Sequence, residues 1–357
     1  MSSFSDYLAK HHPGSHSDNS GFWYPGASTQ GGATLTYLGQ YDFLSLQGPD
    51  SRTFLQGQTT CDWRQLGIQQ ASWGSYCNIK GRMMASFIGG FLADDHILLR
   101  MRRDIAADTR DTLAKYIVFS KAEIDYQPGR WLALGLSGSD ARSLLASLGL
   151  AEPGAYMAQS ISSSAAQSAP GHALAVQLDQ AGERFEIWLD ADAAESAWQT
   201  LSDRTTLCSG EDWQRDNIRA GLADICAATR DEFLPQMLHY QLIGGLSFKK
   251  GCYTGQEVVA RMHYRGSLKR RLYRGQYSGE VQVAEGERLF AEGSQSVGQI
   301  VHRAHGPEGT EVLVALTKTS AKAPDTLRSE GGVSGLELQP LPYALPEDDG
   351  DAAEDSA

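Results

Sequence analysis

Between residues 131 and 201 the apolar positions recur first with period two, then at helical spacing, in the order strand, helix, strand, strand, helix. The spacing predicts strands over 131–136, 173–178 and 185–189, and helices over 140–148 and 191–201. Strands joined by short connections pair antiparallel, and their helices must then share one face of the sheet. This feature narrows the fold most: the chain is α+β, with a ferredoxin-like lobe in its middle. The Ser/Ala/Gln-rich stretch 160–170 reads as an exposed loop inside that lobe.

A chain of 357 residues has room for two or three such bodies. Residues 36–46 read as a strand, after which Asp50 stands at the N-cap of a helix. Residues 83–92 and 96–101 read as a hairpin around Ala93-Asp94-Asp95, and Asp104 as the cap of a further helix. Beyond residue 270, short strands over 297–302, 310–316 and 335–338 with glycine-rich turns fit a compact C-terminal barrel. Residues 1–30, rich in Ser, His and Gly, read as a disordered tail in which His11, His12 and His16 are solvated. There is no internal repeat.

Charge and cysteine usage exclude several classes. The net charge of −12 argues against general nucleic-acid binding. Six carboxylates, Glu347, Asp348, Asp349, Asp351, Glu354 and Asp355, sit in an acidic tail over 346–357. Residues 249–274 run the other way, with eight Lys and Arg against Glu257 alone, a net +7 that leaves −19 for the rest. Such a run is either a solvated face or an anion-binding surface, and its junction with a helix start favours the second. A grip on a few phosphates is then possible, but tight direct nucleic-acid binding is not expected. The five cysteines, 61, 77, 208, 226 and 252, contain no C-x-x-C pair, so neither a disulfide framework nor a local zinc site is expected. No apolar run approaches the ~18 residues of a membrane span and no signal pattern opens the chain, which places it in the cytoplasm. No phosphate-binding glycine loop, dinucleotide fingerprint or zincin motif occurs.

The densest chemistry lies in Lys250-Gly251-Cys252-Tyr253-Thr254-Gly255-Gln256-Glu257-Val258-Val259-Ala260. Thr254 and Glu257 have the spacing of a capping box, which starts a helix at Gly255 and leaves Cys252 just before it. The helix dipole and the ammonium groups of Lys249 and Lys250 would favour thiolate over thiol. Gly251 and Gly255 allow tight turns and close approach. An isolated cysteine is most often a small buried apolar residue; these flanks make Cys252 a candidate nucleophile or ligand instead.

This segment resembles the motif of the YgfZ family, bacterial relatives of the folate-dependent T-protein of the glycine cleavage system. The resemblance runs upstream through Phe233-Leu234-Pro235-Gln236 and 244–250, and downstream through Arg261, Gly266, Lys269 and Arg270. Weaker likeness appears at 54–58, Lys80-Gly81-Arg82, 115–121 and Pro340-Leu341-Pro342-Tyr343. It implies a three-lobed T-protein-like (aminomethyltransferase) fold: a first, folate-binding lobe from 31–130 plus 205–265, the ferredoxin-like lobe over 131–204 and a β-barrel over 266–345. It further implies a bound tetrahydrofolate or another reduced folate. The family tryptophan that lines the folate site falls on Trp213, and a second falls on Tyr41. His239 stands where the family usually has Asn.

In the aminomethyltransferase relatives an Asp-Asp pair follows the Lys80-Gly81-Arg82 turn and supplies the catalytic carboxylate; here those positions are Ala85 and Ser86. Without a carboxylate no base or charge stabiliser is evident for C1 transfer. The resemblance therefore implies a folate-binding protein that supports assembly or repair in iron-sulfur enzymes, tRNA-modifying ones included, with Cys252 as the working thiol. The motif residues are Lys250, Gly251, Tyr253, Gly255, Gln256, Glu257 and Arg261, with no resident metal. A folate-dependent C1-transfer enzyme and a non-catalytic folate-binding scaffold stand as alternatives.

Overall fold

The computed structural model describes residues 3–18, 21–24, 32–162 and 173–345. Three sheets organise it. The first is antiparallel, in the order Ser72–Cys77, Met83–Ala93, His96–Arg102, Tyr41–Gln47, Glu123–Asp125. Its register, Phe43 and Ile88 opposite Arg100 and Tyr41 opposite Arg102, sets two buried arginines among apolar neighbours on one face. The second has six strands in the order Gln159–Ile161, Ala173–Gln177, Arg184–Asp190, Trp131–Ser137, Thr34–Tyr37, Thr206–Leu207, antiparallel except for the last pair. The third, in the order Arg328–Ser329, Arg288–Phe290, Ser296–Gly306, Gly309–Thr317, Arg270–Ser278, Leu336–Gln339, is an antiparallel half-barrel.

The segment 36–46, expected as one strand, is two. Thr34–Tyr37 belongs to the second sheet and Tyr41–Gln47 to the first. Both halves are apolar, so periodicity carries straight across the break at Leu38-Gly39-Gln40 and does not reveal it. Chain entry and the middle lobe are thereby tied together, because Leu35 pairs with Leu136.

The N-terminus also differs from the expected tail. Helix α1 (Phe4–His11) is capped by Ser3 and Asp6, each accepting from the other's backbone N–H. It buries Phe4, Tyr7 and Leu8 against Trp198 and Tyr37. His12 is no free solvated residue, since Trp198 Nε1 donates to its Nε2 at 2.9 Å. A short hairpin follows, His16–Asp18 with Gly21–Trp23. The acidic tail 346–357 lies outside the described residues.

Two expected side-chain caps are absent. Helix α2 (Ser51–Gln58) does begin after Asp50, but the Asp50 carboxylate accepts from the Lys121 N–H instead. Helix α3 (Arg103–Ala114) starts one residue before Asp104, whose carboxylate accepts from the Ala227 N–H. Both acids were drawn to long-range partners. In the middle lobe, α4 (Ala141–Leu144) runs into a 3-10 turn, and α5 (Ala191–Ser202) buries Ala194, Ala197, Trp198 and Leu201 on one stripe. Helix α6 (Gly210–Arg219) returns the chain to the first lobe, and α7 (Gln256–Arg265) precedes the half-barrel. Gly90 makes the junction of the first two sheets possible, because a Cβ there would lie 2.7 Å from the Trp188 ring.

Candidate functional site

Cys252 lies on a loop clamped between two other segments of the first lobe. Gly255 has φ of 83°, and a Cβ on it would come within 2.3 Å of the Asn78 carbonyl oxygen, so only glycine fits. Gly81, with φ of 72°, faces it across the Lys80-Gly81-Arg82 turn, held by Asn78 Oδ1 accepting from the Lys80 and Arg82 N–H groups. Gln236 Nε2 donates to the Val259 carbonyl at 2.6 Å, and Arg82 reaches the Glu232 carbonyl. Three segments distant in sequence are thus assembled into one structure around the thiol loop.

Two details correct the sequence reading. Helix α7 begins at Gln256 from Gly255 as N-cap, with no side-chain cap, so the Thr254–Glu257 box is not formed. Its place is taken by the Tyr253 N–H donating to Gln256 Oε1 at 3.3 Å. Lys250 does not present its charge to the thiol. Its ammonium turns inward, Nζ donating to the Thr59 and Cys61 carbonyls at 2.5 and 2.7 Å, and burial pulls its pKa down to about 8. Lys249, three residues before Cys252, is exposed.

Exposure separates Cys252 from the other thiols. Cys61, Cys77 and Cys226 are buried, Cys208 is half-buried and Cys252 is exposed. Burial pushes Cys61 and Cys226 up to about 11, and Cys77 and Cys208 up to about 12, so at neutral pH these four are protonated.

A second feature lies where the three lobes meet. Arg100 of the first sheet, fully buried, donates from Nε to Glu186 of the second at 3.0 Å, and its Nη1 lies 3.5 Å from Asp224. Tyr41 donates to the other Asp224 oxygen at 2.7 Å. The Asp224 N–H donates to Nε2 of His302 in the half-barrel, which puts that ring's proton on Nδ1, where it is donated to Glu285 at 2.7 Å. Arg102 completes the chain on Glu285 at 3.0 Å. Burial disfavours the Arg100 charge, but Glu186, Tyr41 and Asp224 outweigh it. Burial likewise raises Glu285, and Arg102 with His302 outweighs it, holding the carboxyl at about 2.

Trp213 and Tyr41 border this centre. The Arg184 guanidinium lies 4.6 Å from the Trp213 ring centre and that of Arg100 lies 3.9 Å from Tyr41's. Several buried polar groups here have no hydrogen-bond partner: Trp213 Nε1, Thr36 Oγ1 and both ends of the Gln40 and Gln214 carboxamides. Unsatisfied buried donors and acceptors are costly, and in native proteins they mark places completed by water or a ligand. A cleft of about 550 Å³ opens beside them, lined by Gln214, Glu211, Arg102, Glu285, Arg303 and Phe22 among others. That volume is in the range of small-molecule sites. Ala85 and Ser86 are fully buried, with Ser86 Oγ accepting from the Ile225 N–H at 2.7 Å; no carboxylate stands at either position.

Comparison with known proteins places this geometry in a family. The chain is 32% identical over 328 residues to tRNA-modifying protein YgfZ of Yersinia pestis (strain Pestoides F), covering 91% of this chain and 96% of that one. The protein of the same name from Klebsiella pneumoniae (strain 342) is 33% identical over 325 residues, covering 90% and 96%. The chain belongs to the YgfZ family. Residues 29–207 match the GCVT N-terminal domain. The structure of glycine cleavage system aminomethyltransferase T from Bartonella henselae superposes with a TM-score of 0.74 at 17% identity, over 95% of this chain and 96% of that one. The aminomethyltransferase fold expected of a YgfZ relative is therefore the fold observed.

The structure brings Lys250, Gly251, Cys252, Tyr253, Gly255, Gln256 and Glu257 together on one loop and helix start, with Arg261 exposed one turn on. Trp213 and Tyr41 sit apart from that loop, at the lobe junction. Sequence reasoning missed the Arg100–Glu186–Asp224 cluster. A signal was present: Arg100 and Glu186 interrupt the apolar runs Ile97-Leu98-Leu99 and Phe185…Ile187-Trp188 at positions that face inward. His239 is buried at φ of 60°, a conformation Asn adopts more readily, and donates to Tyr343 Oη. No group of side chains among the described residues could hold a metal ion, and no helix among them is long and apolar enough to cross a membrane.

Proposed function

We propose that this protein binds a reduced folate at the lobe junction and supports iron-sulfur enzymes, including those that modify tRNA, through the thiol of Cys252. The observation that carries the reading is the contrast among the five cysteines: a built loop exposes Cys252, whereas burial keeps the other four protonated. Family membership supports the link to tRNA modification, since the relatives are named for it.

The residues at the junction fit a folate. Its pterin carries adjacent donors and acceptors, which the unpartnered carboxamides of Gln40 and Gln214 and the Trp213 and Thr36 groups could satisfy. Arg184 lies against the Trp213 ring, and Arg303 in the cleft lining, paired with Glu211, suits a glutamate carboxylate. A bound reduced folate would supply one-carbon or redox chemistry of its own; the chain orients it and keeps water from its ring. Ala85 and Ser86 leave the transfer step without a carboxylate, which disfavours the C1-transfer reading.

Calorimetric titration with tetrahydrofolate, with Trp fluorescence followed in parallel, tests this. Saturable binding that Trp213→Ala weakens, without release of methylene-tetrahydrofolate from an aminomethylated lipoyl carrier, is the expected result. Robust turnover of that carrier would instead make the protein a C1-transfer enzyme.

A further inference from the structure

The face that carries Cys252 exposes large apolar side chains that the fold does not use. Phe119 is 101% exposed, Ile79 82%, Val118 71% and Tyr116 56%. Ile79 stands on the turn whose Gly81 packs against Gly255 and Val258 of the thiol loop and helix, so it borders that loop directly. The 3-10 turn Ile117–Phe119 lies at the other end of α2: Asp50, at the start of α2, exchanges backbone and side-chain hydrogen bonds with Lys121, while Lys250 binds the carbonyl of Thr59 at its end. Eight helical residues span ~12 Å, which separates these two contact points. Tyr76, paired with Thr59 and three residues before Ile79, is close enough to Tyr116 for the two to interact electrostatically, which links the two sets.

Single exposed apolar residues are ordinary, but several on one face with an aromatic wholly in water mark an interaction site. The charges around them have one prevailing sign. Lys80, Lys115, Lys121, Lys249 and Arg261 are exposed on these segments, against the exposed Glu257 and Glu123. We infer that this face is a docking surface for a partner protein that presents an apolar segment flanked by carboxylates, and that docking there brings the partner beside Cys252. The inference rests on the thiol reading above. Aliphatic Ile79, Val118 and Val258 suit burial against protein better than stacking on nucleotide bases, and the net charge of −12 repels a polyanion as a whole.

The test is a deletion strain complemented with wild type, Cys252→Ala, the surface variant Ile79→Ser/Phe119→Ser, or Phe119→Trp, with tRNA methylthiolation and protein level both measured. Neither Ile79 nor Phe119 is buried, so the surface variant should keep its melting temperature and its rate of Cys252 alkylation. It should lower methylthiolation about tenfold or more, as loss of interface anchors does, while Phe119→Trp retains it. Binding of the purified methylthiolating iron-sulfur enzyme should weaken in parallel. Wild-type methylthiolation by the surface variant at normal protein level would overturn the inference. So would a wild-type dimer that the surface variant converts to monomer, or a salt-sensitive tRNA complex that it abolishes. Full activity of Cys252→Ala alongside loss in the surface variant would sink the thiol role and leave the docking surface standing.

Discussion

At the scale of single residues, the functional contrast comes from burial more than from neighbouring charge. The sequence suggests two lysines acting on one thiol, but Lys250 is consumed in holding the Thr59–Cys61 turn, a long-range contact that no local pattern discloses. What was legible is the need for glycine at 255, since an invading Asn78 carbonyl leaves no room for a side chain. Iodoacetamide labelling followed by mass spectrometry should find Cys252 modified first in the native protein at neutral pH. The four others should react far more slowly, because burial, complete for Cys61, Cys77 and Cys226 and partial for Cys208, holds each as a thiol well above the ordinary value of about 8.5. Early modification of Cys61 or Cys208 would contradict this ordering.

At the scale of elements, strands and helices with clean periodicity were readable, and misreadings fall where tertiary partners decide. Local spacing predicts Asp50 and Asp104 as caps, yet each carboxylate serves a distant N–H. Ser- and His-rich surroundings mask helix α1, although Ser3, Asp6 and the Phe4, Tyr7, Leu8 spacing all signal it. His239 ends the 3-10 helix Pro235–Leu238 and joins it to Tyr343. Burial, aided by Arg271, pulls its pKa from the usual 6.5 to about 4. Between those values the unfolded chain takes up a proton that the native state refuses, so stability should fall as pH drops from about 6.5 to 4. The full effect is up to roughly 3 kcal/mol. Urea unfolding of wild type and His239→Asn across that range should show the slope in the first and little of it in the second; equal slopes would place the acid sensitivity elsewhere.

At the scale of the whole molecule, three sheets from three lobes converge on a buried charge cluster, and their apolar cores alone do not explain that design. Arg100, Glu186 and Asp224 come from different parts of the fold, so their meeting was invisible to sequence periodicity. Removing one partner leaves uncompensated charge: Arg100→Met should cost about 3–5 kcal/mol, whereas replacing Arg100, Glu186 and Asp224 together by Met, Leu and Leu should recover most of it. Equal losses in the single and triple variants, read by denaturant midpoint, would mean that packing rather than charge sets the cost. The same convergence surrounds the unpartnered groups proposed to hold a folate, while Cys252 lies exposed on a loop of the first lobe.

The thiol of Cys252 is the group on which the proposed function depends. A deletion strain carrying either wild type or Cys252→Ala at matched protein levels, assayed for iron-sulfur enzyme activity and tRNA methylthiolation, measures that dependence directly. The expected result is restoration by wild type and failure of Cys252→Ala, whose exposed side chain contributes little to folding. Full restoration by Cys252→Ala would contradict the account and leave a folate-binding scaffold in its place.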